Sequence, residues 1–328
     1  MTSIQNDWLT MDAECETERI AQGLRHTLAH VLRRQGVVVG LSGGIDSSVT
    51  GALAVRALGA KRVFGLLMPE RQSAPMTRHL SRLMADSLRI ERIEQDITGI
   101  LEAVSFYRRY ESAVRKVVPD FDATWKSKIV IQAAGDNTGF NFFVVVAEAP
   151  DGSLVRQRLS LDAYLEIVAA TNFKQRIRTM LEYYYADRLN FAVAGTPNRL
   201  EYDQGFFVKG GDGAADVKPI AHLYKTQVYH IAEHLGVPED IRRRAPTTDT
   251  YSLSQGQDEF YFAVPYGQMD LCLYGKNHGK SIDDVAAATG LSRAEATRVW
   301  IDIDRKRATT RYLHVNGLLL GDVPEVHA

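Results

Sequence analysis

A short apolar run, Val37-Val38-Val39, ends in Gly40-Leu41-Ser42-Gly43-Gly44-Ile45-Asp46-Ser47-Ser48, and a helix-like stretch with Val49, Leu53 and residues 55–58 follows at once. This pattern predicts a buried strand, a tight turn and a helix start. Gly43 and Gly44 let the backbone approach an anion closely and take φ values closed to other residues. Free N–H groups at the helix start, with the hydroxyls of Ser42, Ser47 and Ser48, then form a nest of donors suited to phosphate. Asp46 lies inside that nest, where a bare carboxylate would repel the anion. A divalent cation shared with the phosphates removes the conflict.

The full Ser-Gly-Gly-x-Asp-Ser string after a strand resembles the pyrophosphate loop of the ATP-pyrophosphatase superfamily, which cleaves ATP between its α and β phosphates. No Gly-Lys-Ser/Thr follows, so the string is not a Walker A loop. The products this resemblance implies are AMP and pyrophosphate.

The rest of the chain is consistent with an open parallel α/β sheet covered by helices on both faces. Residues 14–34 carry Ile20, Leu24, Leu28, Val31 and Leu32 on one helical stripe. Residues 62–68 and 90–97 read as further strands, the second leading into a helix over residues 98–118, and residues 191–195 as another short buried strand. Ligands in such sheets bind at the carboxyl ends of the strands, where the glycine-rich turn lies. Residues 125–160 break the rhythm: an apolar 142–146 run, a Pro150-Asp151-Gly152 turn and alternating residues beyond it predict an inserted β-ribbon.

A chain of 328 residues has room for one large core plus an insertion. The net charge of −1 argues against a nucleic-acid coat or a polybasic membrane anchor. No apolar segment reaches transmembrane length, the first ten residues lack a signal-peptide pattern, and Cys15 and Cys272 have no metal spacing. A reducing, cytoplasmic setting is expected, with no membrane or nucleic-acid partner.

Residues 172–225 supply groups the loop lacks. Asn172-Phe173-Lys174-Gln175-Arg176-Ile177-Arg178 opens with three cations, of which Lys174 and Arg178 share a helix face while Arg176 points elsewhere. A segment from Gly195 to Glu201 carries Thr196 and a carboxylate, and residues 205–216 form a glycine-rich loop with Lys209, Asp212 and Asp216. Loops of this length usually serve a site or are disordered. Lys225 then begins another amphipathic helix.

In order, the blocks Ser-Gly-Gly-x-Asp-Ser, Asn-x-Lys-x-Arg-x-Arg, Gly-Thr-x-x-x-x-Glu, the 205–216 loop, Leu-x-Lys-Thr-Gln-Val and Pro-Thr-Thr-Asp resemble the NAD synthetases from about residue 37 to 250. These are ATP-dependent ligases that amidate nicotinate adenine dinucleotide (deamido-NAD). The resemblance implies an adenine nucleotide α-hydrolase type of fold and a tight homodimer with the dinucleotide near the interface. It implies that Gly40, Leu41, Ser42, Gly43, Gly44, Ile45, Asp46 and Ser47 cradle ATP, that Thr196, Lys225 and Thr247 contact it, and that Asp46 and Glu201 ligate Mg²⁺. Arg176, Lys209 and Asp216 would bind deamido-NAD, and Asp216, with Lys209 beside it, is the candidate for catalysis. The residue types suit the chemistry. A carboxylate is a poor acyl donor until its oxygen attacks the α-phosphorus of ATP, cations neutralise the departing pyrophosphate, and a nearby carboxylate can take a proton from ammonium.

Three departures bear on this reading. The β-ribbon has no counterpart in compact members of that family, so a dimer contact, a lid and a substrate gate all stay open for it. Compact members end in a His-Lys pair that touches the dinucleotide, whereas this chain carries a basic tail over residues 305–314. The roughly 36 residues before the first strand are too few for a glutaminase domain, so ammonia, free or from a separate supplying enzyme, is the expected nitrogen source. Two other readings remain. One is a related ligase acting on a different carboxylate, which retention of Arg176, Lys209 and Asp216 opposes. The other is a DNA-binding helix pair within 278–307, capped at Ser281 and Ser292, whose second helix mixes Arg293 and Arg298 with Glu295, Asp302 and Asp304 and so makes a poor electrostatic footprint.

Overall fold

The structure, a computed structural model, describes residues 7–133, 141–245, 250–256, 261–262, 264–321 and 323. Helix α1 (Ala13–His26) runs into a wider helical stretch, Thr27–Leu32, and ends at Arg33 in the left-handed conformation. Strand β1 (Val37–Gly40) follows, then α2 (Ile45–Leu58), β2 (Val63–Leu67), α3 (Pro75–Leu88) and β3 (Glu91–Glu94). The single helix expected over residues 98–118 is two, α4 (Thr98–Ala103) and α5 (Phe106–Arg115). Ser105 separates them with φ +58°, a kink that no proline or glycine announces.

Strands β4 (Lys126–Ala133), β5 (Asn141–Glu148) and β6 (Leu154–Arg158) form a separate antiparallel sheet in the order β4-β5-β6. Helix α6 (Leu161–Leu189) then spans 29 residues, capped by the Ser160 hydroxyl at one end and by Asn190 in the left-handed conformation at the other. Strand β7 (Ala192–Ala194) precedes α7 (Arg199–Gln204), α8 (Lys225–His234), α9 (Glu239–Arg242) and the C-terminal helices α10 (Tyr266–Asn277), α11 (Ile282–Thr289) and α12 (Arg293–Thr310).

The main sheet has the order β3-β2-β1-β7, all parallel. Alternation along its strands explains why both faces are covered. Val37 and Val39 point into a core shared with α1, α2, α3 and α8, while Val38 points into the opposite core with α5 and α6. The chain leaves β1 toward β2 and returns on its other side as β7, so the sheet reverses direction at β1, and a crevice opens there at the carboxyl ends. Strand β3 is shorter than the 90–97 expected, because it is the outer strand and its residues alternate between exposed and half-buried.

A third core joins α10, α11 and α12 to α7 through Leu200, Met269, Leu273, Val285, Ala296 and Ile303. The caps at Ser281 and Ser292 are both full capping boxes, closed by Asp284 and Glu295. The buried stripe of α12 is thus spent on packing within the protein. Similarly, Tyr183, Tyr184 and Tyr185 point in different directions: Tyr185 stacks on Phe64, whereas Tyr184 is exposed. No helix among the described residues is long and apolar enough to cross a membrane.

Leu53 is fully buried between the sheet and its covering helices. Leu53→Ala is expected to cost about 2–5 kcal/mol of stability, read as a lower urea midpoint.

Candidate active site

The turn after β1 is built as a cradle. Gly44 is the extended N-cap of α2, and Gly43 has φ +71°. A Cβ at Gly43 would lie 2.8 Å from Leu80 Cβ and from Ser81 N, so helix α3 as well as φ requires glycine there. The hydroxyls divide their labour. Ser48, fully buried, donates to Gly44 O at 2.8 Å and so braces the turn, where the sequence suggested a donor for ligand. Ser47 Oγ accepts from Ser42 N at 3.2 Å and lies 3.1 Å from Ser42 Oγ.

Asp46 in the first turn of α2 meets two other elements. Lys225, the first residue of α8, places Nζ 2.5 Å from Asp46 Oδ2 with its side chain almost wholly buried. Asn198 Nδ2 donates to Asp46 Oδ1 at 3.0 Å, while Asn198 N donates to Glu201 Oε2 at 3.1 Å. Asn198 also caps α7 by accepting from Leu200 N and Glu201 N. Burial, reinforced by the Asp46 charge, pushes the Glu201 carboxyl up to about 8. Burial disfavours the Lys225 ammonium, but Asp46 and Glu201 outweigh it and raise its pKa. Behind them Asp270 accepts from Lys225 N at 3.1 Å and from Thr226 N and Oγ1 at 2.7 Å, holding the start of α8 in place; burial still raises it to about 6.

Asp46 and Glu201 offer hard oxygen donors in a place where a second negative charge is disfavoured. That set fits Mg²⁺, which is characteristically bound by one or two carboxylates together with substrate phosphates. No group of three or more His, Cys, Asp or Glu among the described residues could hold a metal as a protein-only cage.

These residues open onto a cavity of about 420 Å³. Gly40, Leu41, Ser42, Gly44, Ile45, Asp46, Ser47, Thr196, Glu201 and Lys225 all line it. Gly43 instead faces α3. Thr247 lies outside the described residues. Of the cations on α6, Lys174 and Arg178 line the cavity. Arg176 points away and donates from Nε to Lys209 O at 3.3 Å. Lys209 Nζ donates to Tyr312 O at 2.7 Å and Val315 O at 2.8 Å, which ties it to the C-terminal tail. Asp216 accepts from Val193 N at 2.7 Å and from the Tyr183 hydroxyl at 3.1 Å, and borders a smaller pocket with Arg34 and Asp187. In this chain, therefore, Arg176, Lys209 and Asp216 stand apart from the ten loop and cavity residues.

Four participants went unassigned in the sequence. Asn198 was detectable in principle from Asn-x-x-Glu capping-box spacing. Asp212, in the glycine-rich loop, lines the cavity and accepts from Val208 N at 2.8 Å; burial raises it to about 6. Glu182 projects Oε1 over Gly40, where a Cβ would lie 2.3 Å from it, and burial together with the Asp212 charge raises its carboxyl to about 7 against the pull of Arg178. Glu70, at the exit of β2, forms a buried ion pair with Lys174 at 2.7 Å. Burial opposes the Glu70 charge, but Lys174 outweighs it and lowers the pKa.

A family model described as NAD synthase matches residues 16–134 and 149–310. The chain belongs to the NAD synthase family. It is 56% identical over 320 residues, 98% of this chain and 96% of the relative, to the NH(3)-dependent NAD(+) synthetase of Rhizobium meliloti (strain 1021). Two solved structures share the fold. The NMN synthetase from Francisella tularensis has a TM-score of 0.66 at 22% identity, covering 94% of this chain and 99% of that one. The NH3-dependent NAD synthetase from Campylobacter jejuni subsp. jejuni NCTC 11168 has a TM-score of 0.61 at 23% identity, covering 95% and 100%.

In this NAD synthase family member Glu182 has a measurable signature. Its folded-state pKa of about 7 lies above its ordinary 4.5, so the folded state holds the proton more tightly. Stability is then lost as pH rises from about 4.5 to about 7. Glu182→Gln is expected to be more stable than the parent at pH 8 by roughly 1–3 kcal/mol, read as a higher melting point, with no gain at pH 4.5. Thermal melts of the ligand-free protein at the two pH values check this.

Proposed function

We propose that the chain is an ammonia-dependent carbon–nitrogen ligase that amidates deamido-NAD at the expense of ATP, giving NAD, AMP and pyrophosphate. The observation that carries the reading is the meeting of Asp46, Glu201 and Lys225 at the mouth of a glycine-rich phosphate loop in a chain of this family. Backbone N–H groups of the loop and the α2 N-terminus hold the ATP phosphates. The nicotinate oxygen attacks the α-phosphorus, forming an acyl-adenylate as the bond to pyrophosphate breaks. Lys225 neutralises charge growing on that leaving group. Asp46 and Glu201 would hold Mg²⁺, which would supply Lewis-acid neutralisation of the leaving group's charge.

Ammonia then attacks the acyl carbon and AMP departs. The proton that ammonium must lose needs an acceptor facing the cavity. Asp216, the candidate from the sequence, already accepts two hydrogen bonds outside it, which favours a bracing or dinucleotide-binding part in this reading. Glu182, whose carboxyl is raised to about 7 at the cavity wall, is the better-matched acceptor at neutral pH.

The homodimer belongs to the same proposal. Leu161, Leu165, Met180 and Tyr184 are exposed along α6, on the side that also carries Arg176. A second copy covering that face would bring Arg176 and Lys209 toward a bound dinucleotide. A reducing cytoplasmic setting fits the two free cysteines, Cys15 exposed and Cys272 buried.

The test is pyrophosphate release with ATP, Mg²⁺ and deamido-NAD, comparing ammonium with glutamine. Turnover is expected with ammonium, with NAD formed one-for-one with pyrophosphate. Asp46→Ala is expected to lower kcat on the order of 10²–10³-fold. Turnover confined to another carboxylate, such as nicotinate mononucleotide, would move the assignment to a related ligase.

A further inference from the structure

The antiparallel sheet between α5 and α6 has no solvent-facing side at its centre. Ile129, Val145 and Ala147 are fully buried against the core of α5 and α6. On the opposite face, Val130, Val144 and Val146 are also buried, with Leu253 packed on them. The family match stops at residue 134 and resumes at 149, so it omits β5, the central strand that both β4 and β6 pair with.

The outer edge of β4 is occupied as well. Leu253 N donates to Ser127 O at 3.1 Å, and Ser127 N donates to Ser252 Oγ at 2.8 Å. Lys128 Nζ donates to Ser254 O at 3.1 Å, and Gln255 Nε2 donates to Ile129 O. An edge strand left open is a template for pairing, and here the template holds residues 252–255. The residues just before them, Thr250 and Tyr251, are walls of the ATP-side cavity. Thr250 O accepts from Lys174 Nζ at 2.9 Å, and Lys174 is the partner of Glu70. This wall borders the exit of β2, where Met68 and Pro69 line the same cavity. With phosphates held at the loop after β1, a nucleoside lying toward the β2 exit would meet this wall.

We propose that the inserted sheet serves catalysis as a template: the free edge of β4 fixes residues 252–255 and thereby sets the wall formed by Thr250 and Tyr251 against the nucleoside of ATP, with Ser252 and Gln255 as positioning residues. The inference rests on the ATP half of the proposed function and is independent of which carboxylate is amidated. Neither Ser252 nor Gln255 lines the cavity, so both act through the segment they pin. One alternative for the sheet is thereby disfavoured: a lid would need a face free to close, and both faces are covered at the centre.

The experiment uses the full chain carrying Ser252→Ala with Gln255→Ala, the conservative Ser252→Thr, and Arg156→Ala on exposed β6 as a control within the same sheet. Steady-state kinetics and titration of Mg²⁺-ATP are measured for each, alongside thermal melts. The double variant is expected to raise KM and Kd for ATP about five- to tenfold, with kcat within twofold and KM for ammonium unchanged. Ser252→Thr is expected to retain most of the parent affinity and Arg156→Ala all of it. Unchanged ATP affinity in the folded double variant overturns the proposal, as does an equal rise from Arg156→Ala. A lowered melting point with parental affinity also overturns it, since the sheet would then serve stability alone. A parent that binds ATP yet never forms NAD would sink the functional reading while leaving the ATP titration to decide this one.

Discussion

Asp46, Glu201 and Lys225 impose the constraint to which the rest of the site answers. Two carboxylates and one ammonium are brought together in a largely buried place, and such groups are costly unless each is paired and hydrogen-bonded. Three elements from distant parts of the chain deliver them: the first turn of α2, the first turn of α7 and the start of α8. Asn198 reconciles them, because one side-chain amide serves Asp46 and caps α7 while its backbone N–H serves Glu201. The sheet order has a reason in the same terms, since β1 and β7 must be neighbours for Asn198, which follows β7, to reach Asp46, which follows β1.

The parts of this arrangement that were legible in the sequence are local. Strand, glycine turn and helix start follow one another within about a dozen residues, and the period-two and period-3.6 patterns around them assign the sheet and its covering helices. The same patterns separate Lys174 and Arg178 from Arg176, since residues four apart share a helix face. What failed to be legible depends on pairs far apart in the chain. Lys174 meets Glu70 across 104 residues, and Lys225 N meets Asp270 across 45. No periodicity encodes such contacts. Ser48 was misjudged for a related reason: whether a hydroxyl serves a ligand or its own turn is decided by a rotamer, which residue type does not reveal. The kink at Ser105 likewise comes from tertiary packing overriding a helical pattern.

Helix α6 links these local and distant terms. Its buried residues, from Ala163 and Ile167 through Ile177 to Tyr185 and Ala186, belong to the core beneath the main sheet, and its early turns also support the smaller sheet. Tyr164 stacks on Phe143 of β5 at 4.2 Å between ring centroids. The same helix carries Lys174, Arg178 and Glu182 into the cavity. Packing that holds the smaller sheet is therefore continuous with packing that orients cavity charges.

Asp270 gives the C-terminal helices a part in shaping the site although they stand behind it. It belongs to α10, yet its two carboxylate oxygens secure the first turn of α8, from which Lys225 reaches Asp46. The boundary between the two regions is consequently a poor place for evolution to exchange modules. A chimera receiving a foreign α10 could keep every residue that lines the cavity and still present its lysine at the wrong angle.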